Sequence, residues 1–456
     1  MAESEGQDEQ QAPTDSPNAH QPSPPARRGG LMQTESSKYR RDMGTLGVLF
    51  IVVNGLIGAG IFGLPEALHA AVGLFAPWLL LMGGVLVMAI AICFAELTKL
   101  TDRSGGPQRF VGDAFGAYPG FIVGWTFFSA RLISQGANVL VLVAYAAALW
   151  PVAGEGAAKV VLIISVLGGI TVINVIGIKR VVALLGAMTL FKLLPLVVLM
   201  LVGIGAAANP GPLVLPQFSA VEGIALAALY AFVGFENATI PAGETRNPQR
   251  AMPRALMLGL AVVTLIYFGL QWAYSHSVIA GTGPGAPLTA LAGEYGGDIG
   301  ALLIAATIVM SVLANLTAGH TSASRMPSAM ADDGLLPAWF GQVSRWGTPA
   351  NSIVVFGLGA ILLSFWNDFL ALAAVSTLAR LMAYITSIAA LPTLRRRAGM
   401  AAFNATIVLA APIALALSFW AATQANATQW QMLGGFALVG TLLFFIARRK
   451  DHSVSS

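Results

Sequence analysis

Twelve apolar runs follow one another between residues 45 and 447, most of them close to the length that crosses a bilayer. They lie near 45–66, 73–98, 117–148, 158–177, 183–206, 220–241, 255–279, 300–324, 350–366, 369–392, 402–421 and 428–447. A helix needs about 20 apolar residues to cross ~30 Å of hydrocarbon. In that medium every backbone polar group must be bonded within the protein. The pattern therefore predicts an all-α, polytopic membrane bundle. Hydrophobic residues make up 56% of the chain and charged residues 10%, which argues against a soluble fold of this length. The third run is long enough to tilt.

The flanking segments read differently. Residues 1–42 are polar, proline-rich and without periodicity, as expected of a disordered tail. They hold no apolar core, so they are not read as a cleaved signal peptide. Residues 448–456 read as a second short tail.

The placement of Lys and Arg orients the bundle. With the N-terminus inside, the inner loops hold Lys99, Arg103, Arg109, Lys179, Arg180, Arg246, Arg250, Arg254, Arg325, Arg345 and Arg395 to Arg397, thirteen residues against Lys159 alone outside. This asymmetry predicts cytoplasmic termini and an even number of spans. It fits a plasma membrane, here a bacterial inner membrane. It also spreads the basic residues between spans, so they form no patch for nucleic acid. Arg131, Lys192 and Arg380 remain inside the membrane. The one cysteine, Cys93, excludes an intramolecular disulfide. No Cys/His cluster suggests a metal site, and no cofactor or nucleotide loop is evident.

Two spans carry helix breakers. In "VVNGLIGAGIFGLPEALHAA" (52–71), Gly55, Gly58, Gly60 and Gly63 precede Pro65. In "FVGFENATIPAG" (232–243), Gly234, Pro241 and Gly243 interrupt the sixth span. Irregular backbone at membrane depth is tolerated where protein or a wetted cavity surrounds it. Two such spans five apart suggest inverted repeats with a site between them. The repeats would cover 43–206 and 220–392, with the last two helices, 402–447, outside them. Close helix packing is the alternative use of the glycines.

Three segments carry a resemblance. "GAGIFGLP" (58–65), "AFVGFENATIPAGETRNPQRAMPRA" (231–255) and "AMADDGLLPAWFGQVSRWGTPANSIVV" (329–355) resemble, in order and spacing, signatures of the amino acid–polyamine–organocation transporters. The resemblance covers about residues 43–447. It implies the five-plus-five inverted repeat of the leucine-transporter fold plus two helices. It also implies secondary transport of amino acids or amines, by proton coupling or exchange, with no cofactor. "ADDGL" is similar to the arginine/agmatine antiporter branch. A homodimer stays open.

The resemblance also implies a site. Backbone N–H groups of Gly58, Ala59 and Gly60 would hold the substrate carboxylate, with a half-helix starting at Ile61 pointing its positive end there. The antiporter-like pattern has serine where Ala59 stands. Carbonyls around Phe232, Val233 and Phe235 would take the amine. Tyr230 stands in the place of a gating tryptophan, Phe232 is a second candidate lid, and Tyr384 falls at an inner gate. Gln135, Asn138 and Ser376 fall at substrate-facing positions. Gly319 and His320 replace a tryptophan platform. Glu236 matches a proton-linked glutamate, with a structural Glu–Arg pair as the alternative. Lys192 matches a span-five lysine that fills the cation position of sodium-coupled relatives.

Charge bears on the substrate. Arg131 precedes Gln135 and Asn138 on one helical face. It would repel a cationic substrate unless Glu236 or Glu96 neutralises it. A neutral amino acid is therefore favoured, with a cationic amino acid or polyamine antiporter as the alternative. A channel would need a continuous polar lining. An enzyme would need a nucleophile–base or metal set, and the sequence offers none. Asp332 and Asp333 are expected to pair with nearby arginines. His69 and His276 are the other histidines expected to titrate near neutral pH.

Overall fold

The structure, a computed structural model, describes residues 44–100, 106–177, 179–206, 211–237, 245–283 and 285–454. The N-terminal segment expected to be a tail lies outside the described residues.

The first apolar run is broken as its glycines require. Helix α1 (Thr45–Leu56) stops, Gly58 turns its N–H back onto the Leu56 carbonyl at 2.8 Å, and α2 (Ala59–Gly63) begins. The half-helix thus starts at Ala59, two residues before the expected Ile61, because extended backbone at Gly58 suffices for the turn. Leu64 joins α2 to α3 (Pro65–Val72), which has proline in its first turn, where the missing N–H costs nothing. Then follow α4 (Ala76–Lys99), α5 (Gly106–Phe115), α6 (Ala117–Leu149), α7 (Gly156–Ile176) and α8 (Lys179–Ala206).

The second half opens with α9 (Phe218–Tyr230), which ends in the second break, and α10 (Pro248–Ser275). Helix α11 (Pro287–Ala323) is bent at Gly297, whose φ of 57° is left-handed. The rest comprises α12 (Met326–Asp332), α13 (Ala350–Ser364), α14 (Phe369–Arg397), α15 (Ala405–Thr423) and α16 (Ala427–Val454). Asp368 caps α14 through the Ala371 N–H at 3.0 Å. The final helix runs on to Val454, where a tail was expected from 448.

Among the described residues, ten helices are long and apolar enough to cross a membrane. They coincide with expected spans one to four, six to eight and ten to twelve. Two shorter apolar helices, Lys192–Ala206 and Ala350–Ser364, stand at the fifth and ninth. The chain is a multi-pass, all-α membrane protein. Helix α5 was not foreseen; it is a short amphipathic connector that buries Phe110 and Val111. Buried from Val123 to Val143, α6 is the central post against which α11 and α14 pack. Helix α4 packs mainly on α10, and α1 also rests on α10.

The two breaks touch backbone to backbone. A Cβ on Gly55 would lie 2.6 Å from the Gly234 carbonyl oxygen, and one on Gly60 would lie 2.8 Å from the Ala231 Cα. Gly234 has φ +114°, a conformation that L side chains rarely adopt. Gly55→Ala and Gly234→Ala should therefore lower the thermal stability of the purified protein by about 1–3 kcal/mol or more. Gly223→Ala, which meets open space on α9, should leave it unchanged or raise it by up to about 1 kcal/mol. Equal unfolding temperatures for all three variants would show that the contact carries no weight.

Candidate functional site

Breaking span one frees carbonyls that helix N–H groups no longer reach. Side chains from three other helices take them up. Tyr267 on α10 donates to the Leu56 carbonyl at 2.6 Å. Lys192 on α8 donates to the Ile57 carbonyl at 3.0 Å and to Asn54 Oδ1 at 2.7 Å. Asn315 on α11 donates from Nδ2 to the Asn54 carbonyl at 3.2 Å. The ammonium of Lys192 therefore sits at the interruption itself, and the residue is buried. Beyond the break, no side chain caps the start of α2, and Ala59 and Ile61 are each 1% exposed.

Span six tightens before it breaks. The N–H groups of Ala231, Phe232 and Val233 donate three residues back, the last at 3.3 Å. Glu236, fully buried, then turns its carboxylate onto its own break and accepts from the Gly234 N–H at 2.8 Å. Two residues of α14 also bond it. Arg380 Nε donates to Oε1 at 3.0 Å, and the Tyr384 hydroxyl donates to Oε2 at 3.0 Å. Arg380 also donates to Ser376 Oγ and, at 3.1 Å, to Ser134 Oγ. The Ser134 and Ser376 hydroxyls lie 2.7 Å apart.

The guanidinium of Arg131, also buried, has neutral partners. Arg131 donates to Asn237 Oδ1 and, at 2.6 Å, to Ser322 Oγ, and lies over the Phe127 ring. Glu236 thus pairs with Arg380 rather than Arg131. Nor does Glu96 neutralise Arg131; it joins Lys99 and, at 3.2 Å, Arg395. Asp332 and Asp333 form no ion pair with an arginine among the described residues.

The remaining expected residues separate into two groups. Gln135, Asn138, Tyr230 and Ser376 are held in the polar cluster. Gln135 Nε2 donates to the Leu316 carbonyl at 3.0 Å, beside Gly319, where a Cβ would lie 3.0 Å from Gln135 Oε1. The Tyr230 hydroxyl donates to Asn138 Oδ1 at 2.9 Å, and its ring meets Phe369 edge-on at 5.9 Å. Tyr384 closes an aromatic triad with Phe94 and Phe235, at 5.3 and 5.5 Å. By contrast, the Phe232 ring is packed in the core on Tyr267 and beside Gly83. Val233 is half-buried next to it. His320 is buried with its ring edge-on to Phe356 of α13, at 4.9 Å.

The reading of the sequence missed Asn54, Asn315, Ser134, Tyr267 and Phe369. The two asparagines left a signal: each is an amide inside an apolar run, where burial costs free energy unless a partner waits. The tyrosine and phenylalanine left none, because aromatic residues are ordinary in membrane spans.

Polar side chains from α1, α6, α8, α9, α11 and α14 thus converge on two facing helix breaks inside a multi-pass membrane protein. Comparison with known proteins names the class. A family model described as Amino acid permease matches residues 43–444, and the chain belongs to that family. It is 31% identical over 329 residues to the serine/threonine exchanger SteT of Bacillus subtilis (strain 168), across 67% of this chain and 72% of the relative. It is 26% identical over 432 residues to the cadaverine/lysine antiporter of Escherichia coli (strain K12), across 89% of this chain and 95% of the relative. The polyamine transporter PUT1 of Oryza sativa subsp. japonica is 26% identical over 74% of this chain and 64% of its own length. These relatives are transporters, not enzymes, and they do not single out the arginine/agmatine branch.

The buried pair gives a test. Removing one member of a buried ion pair costs about 3–5 kcal/mol, whereas replacing both can be nearly neutral. Arg380→Met alone should therefore unfold at a clearly lower temperature than the parent. Adding Glu236→Gln should recover most of the loss. Unchanged stability in Arg380→Met would show that Glu236 is held by its other donors.

Proposed function

We propose that the protein is a sodium-independent secondary transporter that moves amino acids by alternating access, as a proton-coupled carrier or an exchanger, and favours neutral over cationic substrates. The observation that carries the selectivity is the charge in the buried cluster. Two guanidiniums, Arg131 and Arg380, share it with one carboxylate, Glu236, and that carboxylate is bonded to Arg380. A cationic side chain near Arg131 meets a second positive charge. At 6 Å and an effective dielectric near 20, two like charges repel by roughly 3 kcal/mol, more than a hundredfold in affinity. A zwitterion with a neutral side chain escapes most of that repulsion. In this reading its carboxylate lies against the N–H groups of residues 58–60, and its amine faces the carbonyls of the second break.

Lys192 supports sodium independence. Its ammonium already binds the Ile57 carbonyl, so the position is filled by a cation of the protein's own. A buried lysine can also exchange its proton, which makes it a candidate for coupling. Glu236 is the other candidate, and its partners also fit a structural pair holding the second break to α14. Tyr230 with Phe369 on one side, and Tyr384 with Phe94 and Phe235 on the other, are the candidate gates. The inverted repeat explains why two breaks face each other. Thirteen basic residues in alternate loops against one support cytoplasmic termini in a plasma membrane.

A second reading, exchange of cationic amino acids or amines, is favoured by one observation: similarity to the cadaverine/lysine antiporter extends over 89% of the chain. Competition for uptake in proteoliposomes separates the two. Neutral amino acids should compete more strongly than arginine, lysine or agmatine, and uptake should survive replacement of sodium by choline at constant pH. Stronger competition by arginine or agmatine than by every neutral amino acid would reverse the selectivity. Collapse of uptake in choline would remove Lys192 from the cation position. Counterflow would exclude a channel.

A further inference from the structure

Four hydrogen bonds join Lys192 to Tyr230 through residues of five helices. Lys192 Nζ donates to Asn54 Oδ1 at 2.7 Å. The main-chain carbonyl of the same Asn54 accepts from Asn315 Nδ2 at 3.2 Å. Asn315 Oδ1 accepts from Asn138 Nδ2 at 3.0 Å. Asn138 Oδ1 accepts from the Tyr230 hydroxyl at 2.9 Å. An ammonium can only donate, so it sets the direction in which the Asn54 amide points. Each amide further along then uses its oxygen for one neighbour and its nitrogen for the next.

Asn315 is the link between the two halves of this chain. Its nitrogen reaches the broken span and its oxygen reaches α6. It also stands against Gly58, where a Cβ would lie 3.3 Å from Nδ2, so it touches the turn from which α2 starts. We propose that Asn315, supported by Asn54, is a positioning residue through which the state of the Lys192 site reaches the Tyr230 gate. The proposal rests on the reading of Lys192 as a coupling residue and adds the path by which coupling travels. When the ammonium lets go of Asn54 and of the Ile57 carbonyl, the end of α1 is free to shift. The Asn54 carbonyl then withdraws from Asn315, the Asn315 amide turns, and Asn138 releases the Tyr230 hydroxyl.

The surroundings keep this path distinct from a general charge effect. Helix α8 packs on α1, α10 and α11. Among the described residues, no carboxylate or second cation pairs with Lys192. The titratable group of α10 at the same break is Tyr267, which donates to the Leu56 carbonyl. On α11, Tyr295 meets α8 at Gly203, about three helical turns from Lys192.

The test compares transport rates between pH 5 and 8 with equilibrium substrate binding for the parent, Lys192→Ala, Asn315→Ala and Tyr230→Phe. Tyr230→Phe removes one hydroxyl and keeps the ring, so it covers the case in which Asn315→Ala does not fold. The expected result is that all three variants lose the parent's pH dependence of rate. Tyr230→Phe, which loses one hydrogen bond, should weaken substrate binding by no more than about tenfold, and Asn315→Ala, which loses two, by no more than about a hundredfold. Combining Asn315→Ala with Tyr230→Phe should add no further change in profile. If Lys192→Ala flattens the profile while Asn315→Ala or Tyr230→Phe keeps the parent's shape at a uniformly lower rate, the path is overturned and Lys192 keeps its role. If Lys192→Ala itself keeps the parent profile, the coupling reading fails and the path falls with it.

Discussion

A helix broken in hydrocarbon leaves carbonyls that water cannot reach, and hydrocarbon offers no replacement donor. Here the carbonyls of Asn54, Leu56 and Ile57 receive donors from Asn315, Tyr267 and Lys192 in turn. Those donors come from α11, α10 and α8, so the interruption can exist only when the bundle has assembled around it. The same bonds fix where each helix stands relative to the break. The site is thus as much a product of satisfied backbone as of chosen side chains. The bare contact of Gly55 with Gly234 then brings the second interruption alongside the first.

The second break uses the opposite chemistry. Instead of donors meeting freed carbonyls, an acid carried by the break itself accepts from its own Gly234 N–H. That carboxylate must also be compensated in a dry interior, and α14 supplies Arg380 and Tyr384 one helical turn apart. Movement of α14 against span six would therefore break a buried ion pair unless the two move together. Span one is tied to α8, α10 and α11, and span six to α14 and, through Tyr230, to α6. The hydroxyl of Tyr230 is a lighter attachment than the Glu236 pair, since a neutral hydrogen bond is worth less than one between charged groups.

What was legible in the sequence was what local chemistry determines. Clustered glycines marked the first break to within two residues; the second begins after Tyr230, and its expected Pro241 and Gly243 lie outside the described residues. Span positions follow from apolar length alone, and the match of α6, α7 and α14 to their expected starts reflects that. Pairing was not legible. Among the cations inside the spans Lys192 stood nearest to Glu236 in sequence, yet Glu236 meets Arg380, 144 residues later, because α14 brings that side chain round. His320 was read, with Gly319, in the place of a tryptophan platform. One residue along a helix turns a side chain by about 100°, and His320 faces Phe356 instead. Asn54 and Asn315 were readable as buried amides, but their partners depend on how α1, α6, α8 and α11 are stacked.

Charge ties these observations to selectivity. The core described here holds Arg131, Arg380 and Lys192 against Glu236, a local excess of cations over anions. Arg131 spreads its charge over an amide and a hydroxyl, and Lys192 over an amide and a carbonyl. Neutral partners solvate a buried charge without cancelling it. In the proposed reading an amino acid entering between the breaks brings a carboxylate, so the substrate itself reduces the imbalance on arrival. Its ammonium travels with it and, in the proposed reading, faces the carbonyls around Phe232, Val233 and Phe235. In the proposed reading the positive excess favours a zwitterion, and the two breaks, one offering N–H groups and the other carbonyls, set the direction in which it lies.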